Sequence, residues 1–441
     1  MGETGFAAVP TTTRFALKNA NLPAALVDAG ILPDSAPDGL FPADIHIADG
    51  RIERISSPGG MSDGESFDLN GGMVWPCFVD MHTHLDKGHI WPRRPNPDGS
   101  FAAALDAVER DRAANCQASD VARRIEFGLR CAYAHGTALM RTHLDSAAPQ
   151  HAISWPVFAD VRERWAGRVE LQAASLFAID AFLDKTFADE IVGVVSDYGG
   201  VLGAVTFMVP DLDRALTLMM ERAAEQGLDL DFHVDETHDP AACSLRAIAE
   251  AAIRTEFPGR IVAGHCCSLA MQPNAEPDAT LDRVAEAGIA VVSLPMCNLY
   301  LQDRRSGRTP RWRGVTLLHE MAARGIEVAV ASDNTRDPFY AYGDLDMLEV
   351  FRESVRVLQL DHPIAGWERI VTRSPADTLQ RPDKGRIAAG QPADLVLFRA
   401  RSWTELLARP QSDRTVLRAG KVIDRTLPDY RELDDLMGNA A

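Results

Sequence analysis

The chain is poor in several features that would direct a reading elsewhere. Its seven cysteines (Cys77, Cys116, Cys131, Cys243, Cys266, Cys267 and Cys297) are odd in number and form no CxxC pair. That pattern predicts buried, reduced thiols and a reducing compartment rather than a disulfide framework. No run of about 18 apolar residues occurs, so no helical membrane span is expected. The opening text, MGETGFAAVPTTTRF, has no basic region leading into a long apolar stretch. No secretory leader is therefore expected, and the cytoplasm is the expected location. Positive charge is scarce: 45 Lys and Arg stand against 63 Asp and Glu, a net charge of −18. A polyanionic surface argues against a nucleic-acid groove or an anionic membrane as partner. No GxGxxG follows an early strand-like run, which removes the main support for a doubly wound open sheet. There is no internal repeat and no low-complexity segment.

What is present is an ordinary globular composition, 46% hydrophobic and 24% charged. The two ends of the chain read alike. "TRFALKNANLP" and "ADIHIADGRIERISS" near the start, and "KGRIAAGQPADLVLF" and "RTVLRAGKVIDR" near the end, are short extended runs broken by tight turns. "ADGR" is a hairpin-turn signal. One small β-sandwich built from residues 1–73 and 383–441 accounts for this arrangement. Between them, residues 74–382 alternate apolar runs with amphipathic segments. The runs are VWPCFVDMHTH, TALMRTHLD, VELQAASLFA, VLGAVTFMVP, LDLDFHVDE, RIVAGHCC, AVVSLPMC and EVAVASD. Strands alternating with helices predict a parallel sheet, and eight such units predict an α/β fold of the closed (β/α)8 TIM-type barrel class. In such a barrel the strand C-termini converge on the active-site face.

Several of these runs end in metal-capable side chains. The first carries His82 and His84, the fifth His233 and Glu236, the sixth His265, and the eighth Asp333. Residues i and i+2 of a strand point the same way, so His82 and His84 can both face the barrel mouth. Neutral imidazole suits zinc or ferrous iron. His82, His84, His233 and Asp333 form a candidate set for one divalent ion, Zn or Fe, with room left for water. Singly, each residue has a plain structural role: an incidental HxH, a satisfied core histidine, a helix-capping aspartate, a solvated glutamate. Four separate runs delivering such residues to one face favour a metal site. Lys87 and His89 are expected at the rim, and His143 is expected to be structural. The arginine-rich "LQDRRSGRTPRWRG" reads as a solvated loop.

At these residues the chain resembles the cytosine-deaminase-like branch of the amidohydrolase superfamily. "FVDMHTHLD", "VELQ", "DFHVDE", "AGHCC", "PMCNLYLQDR" and "SDNTRDPFYAYG" carry the resemblance along nearly the whole chain. It implies that Glu236 shuttles protons to a ring nitrogen and the leaving amine, and that His265, assisted by Asp333, orients or deprotonates the attacking water. It implies that Gln172 binds a substrate amide. It also implies a small-molecule heterocyclic substrate and a homo-oligomer. Relatives that open cyclic amides carry a carbamylated lysine on the fourth strand; the fourth run here has none, which favours one metal and deamination. The chain departs from cytosine deaminases after Asp333. Asn334 stands in place of a second aspartate, and Phe339 in place of tryptophan, with Arg336 between them. These three are the expected substrate contacts beside Gln172. The changes favour a ring larger than cytosine, a pterin-type (2-amino-4-oxopteridine) substrate, ahead of cytosine, creatinine or isocytosine-like rings. A metal-free scaffold protein is the alternative from another class, and the complete ligand set argues against it.

Overall fold

The computed structural model describes residues 6, 9–28, 36–60, 64–273, 275–410 and 413–438. Part of the stretch read for a leader, residues 1–5 and 7–8, lies outside the described residues.

All eight apolar runs of the middle segment become strands. Three pair in parallel as Phe78–Thr83, Thr137–Asp145 and Glu170–Leu176. Five more pair in parallel as Leu202–Thr206, Leu230–Val234, Ile261–His265, Ala290–Ser293 and Val328–Val330. Parallel bridges Ala174–Val201 and Ala178–Val205 join the third strand to the fourth. The bridge Thr83–Asp333, with Asp333 N–H donating to the His82 carbonyl at 2.9 Å, joins the eighth to the first. The eight strands thus run as a ring, with helices between them. The segments read as amphipathic form helices Phe101–Asn115, Ala118–His135 and Leu212–Gln226. Ser100 caps the first of these, and Gly136 (φ 100°) ends the second in the left-handed conformation that glycine adopts freely.

One end of the ring is filled by Val79, Met81, Leu139, Val262, Val292 and Ala329, closed from below by Ala376 and Leu379. The first strand carries an irregularity here. Asp80 pairs with Met140 and Thr83 with Thr142, so three steps on one strand oppose two on its neighbour. Such a bulge re-aims the side chains within and just after it, and His82 and His84 occupy those two places.

The terminal runs form two four-stranded sheets. Arg14–Pro23, Leu40–Ala48, Arg51–Ser56 and Glu65–Asp68 make one; Val74–Pro76, Leu395–Phe398, Arg414–Arg418 and Lys421–Val422 make the other. Leu17, Ile45 and Ile47 of the first share a buried cluster with Val74, Leu395 and Leu417 of the second. The "ADGR" turn joins two antiparallel strands through Asp49 and Gly50, both at positive φ. No helix among the described residues is long and apolar enough to cross a membrane. All seven cysteines are free, five of them buried.

Candidate metal and catalytic site

Alternation along the strands places Asp231 and His233 inside the ring, while Leu230, Phe232 and Val234 pack outward on the helices. At the strand ends the backbone turns sharply. Asp235, His265, Cys266 and Asp333 all sit at φ between 47° and 67°. Non-glycine residues held there cost about 1 kcal/mol or more each, and such strain collects at functional sites.

Four atoms converge at the mouth. His233 Nε2 lies 3.1 Å from both His82 Nε2 and His84 Nε2. Asp333 Oδ1 lies 3.1 Å from His84 Nε2 and 3.6 Å from His82 Nε2. Three imidazole nitrogens pointing at one another cannot all be satisfied by protons. The Nδ1 atoms of the same rings and both Asp333 oxygens have no hydrogen-bond partner among the described residues. Burial, reinforced by neighbouring histidines and, at His84, first by the Lys87 charge, lowers His82, His84 and His233 well below the usual histidine value, which keeps their lone pairs available. Zinc bonds of about 2.0–2.2 Å in a tetrahedron separate the ligand atoms by about 3.3–3.6 Å. The observed separations of 3.1–3.6 Å lie close to that range. A buried His/Asp group able to hold a metal ion is therefore present.

The acid–base residues flank it. Glu236 is pushed well above the ordinary carboxyl value, first by burial and then by the Asp333 charge, a direction that favours its protonated form. Its Oε1 lies 3.4 Å from His265 Nδ1. Burial lowers His265 to about 3, keeping it neutral. Asp333 is raised to about 7, chiefly by burial. Asn298, at the start of the helix Pro295–Leu301, ties the pair together: its Nδ2 donates to Glu236 Oε1 (3.1 Å) and to His265 Nδ1 (3.0 Å). Sequence reasoning missed this residue, although it lies within the matched text "PMCNLYLQDR".

Three sequence expectations change. Gln172 is not brought to the cluster. It sits opposite Arg141, one inward-facing layer below the His143–Ala174 pair. Its Oε1 accepts from Arg141 and its Nε2 donates to the Leu379 carbonyl in the apolar end of the ring, so both ends of the amide are engaged. Arg336 also points elsewhere: its guanidinium stacks 4.2 Å from the Tyr430 ring, in the C-terminal segment. Lys87 and His89 are buried rather than at the rim. Lys87 Nζ donates to Asp145 Oδ1 at 3.0 Å and stands 5.6 Å from the Phe339 ring centre. Burial, with Arg336 adding to it, lowers His89 to about 3.

Of the remaining expected contacts, Asn334 is buried with its Nδ2 donating to Asp337 Oδ2 at 2.7 Å, and Phe339 packs edge-on against Phe101. His143, expected to be structural, stacks beside His82 with ring centres 4.0 Å apart. Its Nε2 is 3.1 Å from Asp231 Oδ1, while Asp231 Oδ2 accepts from Arg141 at 2.9 Å. Burial works against the Asp231 charge, but His143 and Arg141 outweigh it and hold the carboxyl below its usual value. An Arg141–Asp231–His143 chain thus underlies the metal-capable group.

The chain is 60% identical over 435 residues to a pterin deaminase of Rhizobium rhizogenes, covering 98% of this chain and 99% of that protein. A solved 5-methylcytosine deaminase from Klebsiella pneumoniae shares the fold, with a TM-score of 0.80 at 23% identity over 93% of this chain and 97% of the other. An adenosine deaminase from Xanthomonas campestris, solved with bound zinc, matches with a TM-score of 0.70 at 16% identity over 97% of this chain and 99% of the other. The model of the amidohydrolase family matches residues 65–154 and 157–424, and to that family this chain belongs.

Proposed function

We propose that this chain is a metal-dependent hydrolytic deaminase that releases the 2-amino group of a 2-amino-4-oxopteridine as ammonia. The observation that carries the reading is Glu236 and His265 held 3.4 Å apart beside the converging His82, His84, His233 and Asp333 donors. The 60% identity to a pterin deaminase over nearly the full length supports the choice of ring.

In this reading His82, His84, His233 and Asp333 hold one zinc or iron ion. A divalent ion there supplies the Lewis acidity that makes water a nucleophile near neutral pH. Glu236 gives its proton to the unprotonated ring nitrogen next to the amino carbon, drawing electrons from that carbon. Asp333 and His265 take the proton that water loses as its oxygen bonds to the carbon. Glu236, recharged by that proton, passes it to the amino nitrogen. The C–N bond then breaks, ammonia leaves, and the proton still on the former water oxygen returns to Glu236 as the C2 carbonyl forms. Asn298 keeps Glu236 and His265 in register throughout. The barrel within residues 74–382 carries every one of these groups, and strands of the flanking 1–73 and 383–441, joined by Val74–Pro76, form the supporting sandwich. The free thiols suit the cytoplasm.

The test is ammonia release from pterin, 6-carboxypterin, cytosine and creatinine, alongside metal analysis of the purified protein. Pterin-type rings should be turned over with the highest kcat/KM, and close to one zinc or iron should be found per chain. Turnover of cytosine alone would sink the pterin assignment.

A further inference from the structure

With Gln172 engaged below the cluster, the substrate's ring oxygen has no reader among the residues expected from sequence. The walls of the mouth suggest one. Glu236, His265 and Asn298 follow the fifth, sixth and seventh strands, which are neighbours in the ring. Lys87, Asp145 and Phe339 follow the first, second and eighth, which are also neighbours, on the opposite side. A flat heterocycle lying between these walls presents one edge to Glu236 and the other to Lys87.

The chemistry of the ring fits that orientation. In a 2-amino-4-oxopteridine the basic nitrogen N1 and the lactam edge, N3–H with O4, lie on opposite sides of the reacting C2. A ring whose N1 faces Glu236 turns O4 toward Lys87. The Lys87 ammonium has three N–H donors, and the bond to Asp145 Oδ1 at 3.0 Å is its only hydrogen bond among the described residues. Asp145 Oδ2 accepts from Arg112 at 3.2 Å, so both of its oxygens are committed and the carboxylate fixes the ammonium in place. Phe339, 5.6 Å from Lys87 Nζ, offers an apolar face to the same space.

We propose that Lys87 is a specificity-determining residue whose ammonium donates a hydrogen bond to the ring oxygen of the substrate, with Asp145 as its positioning residue. This rests on the deaminase reading above and names the group that selects an oxo-bearing ring. A buried charged donor facing a ring that lacks the oxygen is left unpaired, which is how such sites discriminate.

The test measures kcat/KM for ammonia release from pterin and from 2-aminopteridine, which lacks the ring oxygen and the N3–H that goes with it. The metal-loaded wild type, Lys87→Met and Lys87→Arg are compared, with metal content and Tm confirming that the variants fold. The wild type should prefer pterin by about 100-fold, the scale of one hydrogen bond to a charged group. Lys87→Met should bring the preference to within about threefold, and Lys87→Arg, which keeps a cationic donor, should restore part of it. A wild type that handles both rings equally overturns the proposal without recourse to any variant. A folded Lys87→Met protein that keeps the full preference overturns it as well. Ammonia released from neither ring by the wild type overturns the deaminase reading instead, and the proposal with it.

Discussion

The two ends of the barrel are made from the same eight strands and could hardly differ more. At one end Val79, Leu139, Val262, Val292 and Ala329 fill the ring, and each is satisfied by contact alone. At the other, His82, His84, His233, His265 and Asp333 are equally buried, yet carry polar atoms with no hydrogen-bond partner among the described residues. Leaving one buried polar group unpaired costs about 1–3 kcal/mol. The apolar end therefore holds the ring together, and the polar end spends stability on an arrangement that makes sense only with a cation and a substrate in place. The difference separates residues that build from residues that act.

The largest effect is expected at the mouth. Glu236→Gln keeps the shape and the Asn298 contact but removes the transferable proton. It should lower kcat by about 10³-fold, within the range of general acid–base catalysis. Ammonia release at saturating substrate measures this, and metal content should remain at the wild-type level. At the other end, Leu139→Ala should behave in the opposite way. Leu139 is fully buried in the apolar plug. Its truncation should cost about 2–5 kcal/mol of stability through the cavity left behind, read as a lower Tm or denaturation midpoint. The kcat of the folded fraction should be unchanged. A large loss of kcat in Leu139→Ala would mean that the two ends are not separable.

The apolar end was legible in the sequence because alternation and run length report which side of a strand faces inward. All eight runs became strands, and the tips named for chemistry meet at one mouth. Height within the ring was less legible. Gln172 and His143 both alternate inward, but Gln172 lies a layer below His143, and no local pattern encodes that offset. The bulge between Asp80 and Thr83 depends on pairing with a strand about sixty residues on, so it too had no local sign. Arg336 was misplaced because its direction is set by Tyr430, a contact between segments far apart in sequence. Lys87 read as a rim residue because it follows the strand end, where chains usually surface; its burial comes from Asp145 and Phe339 closing over it. The partner of His143 is Asp231, on another strand, and only the closed ring brings them together.

That His143–Asp231 pair permits a finer probe of the mouth. It touches the ring of His82 without contributing one of the four converging atoms. Asp231→Asn should release His143 and, through it, the orientation of His82. Outer partners of metal-binding histidines typically contribute about 10–100-fold to metal affinity or activity. Chelator competition on the loaded protein should show a loss of affinity on that scale, with kcat at saturating metal falling less.

The smallest effect is thermodynamic and has a definite sign. In the metal-free fold burial raises Glu236 well above its ordinary value, whereas the unfolded chain ionises near 4.3. Below the unfolded value the carboxyl is protonated in both states, and wild type and Glu236→Gln should be matched in stability. As pH rises, the unfolded chain releases the proton while the folded chain keeps it. The folded state then binds more protons than the unfolded one, so wild-type stability falls with pH. Glutamine has no proton to lose, so the metal-stripped variant should become the more stable of the two, by about 2 °C or more in Tm toward pH 8. Comparing the two proteins at each pH cancels the titration of every distant group. Loading the metal should narrow the gap, because a nearby cation favours the ionised carboxylate and draws the folded pKa back down. A gap that stays constant from pH 4.5 to 8 would mean that Glu236 is ionised in the metal-free fold, and the contrast between the two ends would then lose its acid.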